Sequence, residues 1–107
     1  MEVPKMREFF VAGVQHHKSD QVLDKLTEGT VFELRPEPDN KFDPNAVAII
    51  YNNDHQEDDC MIGYVPAKFS GEIAAAIQIG NPLVCTITYL NPSAKPWERI
   101  QVVIKGE

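Results

Sequence analysis

Two runs near the end of the chain, LVCTITYL (83–90) and RIQVVIK (99–105), alternate apolar and other residues with a period of two. Leu83, Cys85, Ile87 and Tyr89 fall on one side of the first run, and Ile100, Val102 and Ile104 on one side of the second. That period belongs to a strand with one buried face. TVFELR (30–35) repeats it, pairing Phe32 with Leu34. AVAIIYN (46–52) is apolar on both sides, as in a strand near the centre of a sheet or barrel. EFFVAGV (8–14) and MIGYV (61–65) read as further short strands.

Helical spacing is confined to two places. In DQVLDKL (20–26), Val22, Leu23 and Leu26 share a side, Ser19 or Asp20 supplies an N-cap, and Gly29 ends the run. In PAKFSGEIAAAIQIG (66–80), Phe69, Ile73 and Ile77 recur every fourth residue. Pro66 suits the first turn of that helix, and Gly80 suits a left-handed cap at its end. Gly71 inside it costs about 1 kcal/mol relative to Ala. A mainly β chain with two short helices, only 107 residues long, predicts a single-domain small antiparallel β-barrel rather than a doubly wound sheet.

The remaining bulk properties exclude more than they assign. No apolar run approaches the ~20 residues of a membrane span, and MEVPKMREFF has neither the apolar core nor the cleavage site of a signal peptide. The expected compartment is the cytoplasm, and Cys60 and Cys85, which lack CxxC spacing, are expected to be reduced thiols. The net charge of −6 argues against strong non-specific nucleic-acid binding, which relies on Lys and Arg. Asp54, Glu57, Asp58 and Asp59 crowd into one loop, however, leaving the rest of the surface closer to neutral. No GxxxxGK[ST], GxGxxG or GxSxG occurs, and DNKFDPN lacks the calcium-loop pattern. His16, His17 and Asp20 have no specific metal-ligand spacing, so no metal and no cofactor is expected.

The stretch RPEPDNKFDPNAVAI (35–49) is of another kind. Pro36, Pro38 and Pro44 restrict their neighbours, while Asp39, Asn40, Asp43 and Asn45 are residues whose side chains bond nearby backbone amides. This predicts a rigid loop. Phe42 either caps the core or belongs to a pocket, and Asp43 either accepts backbone N–H groups or serves that pocket. Tyr64, in GYVP, fits core and surface equally. Trp97, between Lys95 and Arg99, is either a base-stacking platform or a lid on the barrel end.

The order FFVAGV, KL-x-x-G, LRPEPDNKFDPNAVAI, IGYVP and an Ala-rich helix resembles the HIRAN domain from about Phe9 to Ile104. EPDNKFDPNAVAI followed by IGYVP is the most specific part. The resemblance implies an OB-like β-barrel, of the kind that occurs alone in bacteria and phage, and a non-catalytic module. It further implies binding to single-stranded DNA with recognition of a free 3′-hydroxyl, in repair or replication-fork processing. By position, Asp43 would take the 3′-hydroxyl and Phe42 would lend its backbone amide. Gln15, His16 and His17 stand where DNA binders carry a basic residue and two aromatics. Tyr64 takes the place of a DNA-touching His, Lys68 that of a nearby cation, and Trp97 that of a stacking aromatic. The Phe42–Asp43 pair favours DNA-end binding. The acidic charge and the Gln15–His16–His17 substitutions favour a protein-interaction adaptor that keeps the fold, with protein partners in DNA metabolism.

Overall fold

The computed structural model describes residues 7–14, 23–52 and 59–106. Strands β1 (Arg7–Phe10), β2 (Val31–Pro36), β3 (Val47–Tyr51) and β4 (Cys60–Tyr64) precede helix α1 (Ala67–Gln78). Strands β5 (Leu83–Leu90) and β6 (Ile100–Gly106) follow it. The six strands form one sheet in the order β1-β6-β5-β2-β3-β4, and every pairing is antiparallel.

β1 and β4 are the two outer strands of that order, and the sheet curls until they meet. The chain stays extended beyond β1, where the Val11 amide donates to the Ile100 carbonyl at 2.8 Å. Ala12 then pairs with Tyr64 in a single antiparallel bridge. Its amide donates to the Tyr64 carbonyl at 2.9 Å, and the Tyr64 amide donates back at 2.8 Å. The seam requires glycine at position 63. A Cβ there would collide with the Ala12 carbonyl oxygen and come within 2.7 Å of Val11 Cγ1.

The barrel interior is aliphatic. Val47, Ile49, Ile62, Ile100 and Val102 are fully buried, with Phe9 and Phe32 among them. β3 is buried on both faces, as its unbroken apolar run predicts. Helix α1 contributes Ile73 to this core and lays Phe69 and Ile77 against it. Phe69 stacks on Phe9 of β1, with ring centres 5.6 Å apart. Arg7 clamps Glu72 of α1 through two bonds of 2.9 Å. Gly80, at φ 86°, ends the helix: its amide reaches Ile77 O and the Asn81 amide reaches Ala76 O. These are the two bonds of a Schellman cap.

Two details differ from the sequence expectations. Within the described part of the segment expected to form the first helix, the chain makes only a 3-10 turn, Leu23–Lys25. Leu26 still reaches the core, so the apolar spacing served burial without a longer helix. Tyr89 was expected to share the inward side with Cys85 and Ile87. The β5–β6 register shifts between Ile87 and Tyr89, and this irregularity turns Tyr89 to the outside, where it is 41% exposed. An extra residue in one strand reverses the side-chain phase beyond it. Cys60 and Cys85 are both buried and unbridged, and burial pushes the Cys85 thiol up to about 12.

The two glycines have opposite roles. Gly63→Ala overpacks the seam and is expected to cost about 1–3 kcal/mol. Gly71→Ala adds a Cβ that meets only Asn45 Nδ2 at 3.7 Å, and is expected to gain about 1 kcal/mol of helix propensity. Urea denaturation midpoints should therefore move in opposite directions for the two variants.

Candidate functional site

The loop from Glu37 to Ala46 is held by its own polar side chains. Its base is closed by the Glu37 amide donating to Ala46 O at 2.8 Å. Asn40 Oδ1 accepts the backbone amides of both Phe42 (2.9 Å) and Asp43 (3.1 Å). Asp43 Oδ1 accepts the Asn45 amide at 2.9 Å. These local side-chain-to-backbone bonds replace regular structure, as the Asx-rich sequence predicts.

Two further contacts tie the loop to other elements. Glu37 Oε1 accepts the Tyr64 hydroxyl at 2.7 Å and Asn40 Nδ2 at 3.1 Å, joining the loop to β4. Ser70, buried in α1, lies with Oγ 2.9 Å from Asp43 Oδ2 and 3.1 Å from Ala67 O. It has one proton, and the charged, nearer carboxylate is the stronger acceptor. Asp43 is thus fixed from its own loop and from the helix.

The loop, the seam and the start of α1 enclose an open cleft of about 410 Å³. Asp43 and Asn40 supply its polar groups, Phe42 and Tyr64 its aromatic ones, and Ala12 and Gly13 part of its wall. Phe42 does not cap the core, because its side chain is 97% exposed. Its amide is already held by Asn40, so the group expected to be lent to a ligand is engaged in the loop. Tyr64 is half-buried and shared between the cleft and Glu37.

The other expected residues are more dispersed. Lys68 is exposed in the first turn of α1, next to cleft-lining Ala67, with Nζ 5.1 Å from the centre of the Phe69 ring. Trp97 sits on a 3-10 turn, Pro96–Glu98, between β5 and β6. It is 52% exposed with Lys95 Nζ 5.7 Å from its ring, and it is not part of the cleft. Gln15, His16 and His17 lie outside the described residues, as do the histidines and Asp20 of the conceivable metal set. Among the described residues no cluster of three or more His, Cys, Asp or Glu side chains could hold a metal ion, and none of those lining the cleft is a Lys or Arg. Also among them, no helix is long and apolar enough to cross a membrane.

Ser70 and Glu37 hold the candidate site together although the sequence reading singled out neither for it, whereas Asn40 was among the Asx residues expected to stiffen the loop. The readable signal was a lone hydroxyl beside the apolar spacing of α1; its partner lies 27 residues away in sequence and is invisible without the fold.

Comparison with known proteins agrees with this fold. The sequence matches the HIRAN domain family over residues 5–107, so the chain belongs to that family. HIRAN domains are known as nucleic-acid-binding modules and are generally non-catalytic. The crystal structure of the HIRAN domain of human HLTF superposes with a TM-score of 0.71 at 11% identity, covering 97% of this chain and 76% of that one. A protein from Lactobacillus plantarum superposes with a TM-score of 0.74 at 19% identity, covering 92% of this chain and 89% of its own. No curated protein matches the sequence.

Burial, and then the bond to Glu37, pushes the Tyr64 hydroxyl up to about 12. The unfolded chain releases that proton near 10. The folded state therefore binds it more tightly between these values, and stability falls as pH rises through them. The contribution of Tyr64 is intact below about pH 10 and lost by about pH 12. Alkaline denaturation should accordingly be shallower between those pH values in Tyr64→Phe than in the parent.

Proposed function

We propose that this domain binds the 3′ end of a single nucleic-acid strand, DNA in the first instance, in the Asp43 cleft without catalysing a reaction on it. It would thereby serve the repair or processing of DNA ends. The observation that carries this reading is a carboxylate fixed on both oxygens beside a fully exposed aromatic ring in an open cleft.

An ionised carboxylate accepts hydrogen bonds and donates none. Each Asp43 oxygen receives one protein donor, which leaves lone pairs for a terminal hydroxyl. A terminal phosphate would set like charges together. Phe42 offers its ring to the last base, and Tyr64 also lines the cleft. Cations for the backbone would come from the rim, with Lys68 the nearest in sequence to the cleft-lining Ala67. Stacking is worth about 1–3 kcal/mol per base, so binding would be modest and would rest on bases and the end group more than on phosphates.

Fluorescence anisotropy with short strands ending in 3′-hydroxyl or 3′-phosphate tests this. The hydroxyl end should bind more tightly, with a log–log salt slope of roughly −1.5 to −2 if two or three phosphates are contacted, and EDTA should change nothing. Asp43→Asn keeps an oxygen for the Asn45 amide and should abolish the preference while the fold persists. Equal or absent binding of both ends would sink the proposal. The protein-adaptor reading, which draws on the net charge of −6 and the lack of Lys or Arg among the described residues lining the cleft, would then take its place.

A further inference from the structure

The register irregularity in β5 has a consequence on the outer surface of the barrel. It places Tyr89 opposite Gln101 of β6, and Gln101 is also opposite Phe10 of β1. Phe10, Gln101 and Tyr89 therefore form a row across three neighbouring strands. Phe10 is 37% exposed and Tyr89 41%. Their rings meet edge to face with centres 6.2 Å apart. Together with Asn91, Ala94 and Glu98 they line a second cleft of about 430 Å³. Asn91 Nδ2 donates to the Tyr89 hydroxyl oxygen at 3.2 Å, steadying that ring from the loop. With Tyr89 in its expected phase the ring would point into the core. Bulges of this kind commonly re-aim a side chain beside a functional site.

One extended segment lines both this cleft, through Phe10, and the Asp43 cleft, through Ala12. Phe9 and Val11 are buried, so Phe10 and Ala12 share the outward side of the extended segment. Ala12 lines the Asp43 cleft and pairs with Tyr64. Two residues of extended chain span about 7 Å, a separation that neighbouring nucleotides of an unstacked strand can bridge. The amides of Asn91 and Gln101 offer both donors and acceptors to a base edge. Glu98 on the rim disfavours a phosphate, so the base is the part that would enter.

We infer that the Phe10–Tyr89 cleft is a second base-stacking site, occupied by a nucleotide on the 5′ side of the terminal one held at Asp43. The inference rests on the proposed end-binding function. It assigns the domain a footprint of several nucleotides running from the Asp43 cleft along the outer side of β1 towards the Trp97 turn.

Anisotropy with 5′-labelled thymidylates of one, two and four nucleotides, each with a free 3′-hydroxyl, separates the two proposals. In the parent protein, affinity should rise from the single nucleotide to the longer strands. Tyr89→Ala should remove that rise, about 5- to 150-fold for one stacked base, while leaving single-nucleotide affinity and the preference for a 3′-hydroxyl intact. Phe10→Ser should act in the same way, and circular dichroism should show both variants folded. Backbone amide NMR should show Gln101 and Tyr89 shifting with the dimer and not with the single nucleotide. If strands bind but Tyr89→Ala and Phe10→Ser alter no length, or if a peptide or a second copy occupies the cleft instead, the inference is overturned while end binding stands. If no strand binds, both fall.

Discussion

The paired hydrogen bonds between Ala12 and Tyr64 turn a curled sheet into a barrel. Without them the Val11–Gly13 segment would have a partner on one side only. Closure demands close backbone approach, and glycine at position 63 permits it. The proposed site lies at this seam, where Ala12, Gly13 and Tyr64 line the Asp43 cleft.

The loop before β3 is rigid for a second reason. Its carboxylates and amides bond one another in a chain that runs from Tyr64 through Glu37 and Asn40 to the Phe42 and Asp43 amides. Ser70 anchors the far side of Asp43 to α1. Preorganisation of this kind lowers the entropy lost when a ligand is held. It also places acidic groups where a nucleic-acid binder would more often carry cations, so recognition here would depend on aromatic faces and an end group rather than on charge neutralisation.

Much of the barrel was legible because strand periodicity is local. The runs at 83–90 and 99–105 appear as β5 and β6 within a residue, and the apolar stretch at 46–52 contains β3, buried on both faces. The helix ending at a left-handed Gly80 was legible for the same reason. Tyr89 was not. A shift in register is a property of two paired strands, and no pattern within one strand announces it. The helix expected over 20–26 likewise appears, in its described part, only as a 3-10 turn, since burying Leu26 and packing Leu23 against the core required no more.

The residues alone determined that the 35–49 loop would be stiff, since proline geometry and Asx side chains act over a few neighbouring positions. They also determined a mainly β chain with a single compact core. Tertiary structure decided what the stiffness serves. Whether Phe42 would face the core or solvent, and whether Asp43 would be shared with another element, depended on where α1 and the seam came to lie. Ser70 meets Asp43, and Phe10 meets Tyr89, across separations that only folding closes. Contacts between distant segments are set by how the sheet curls and where its register slips, and neither is encoded in any short window of sequence.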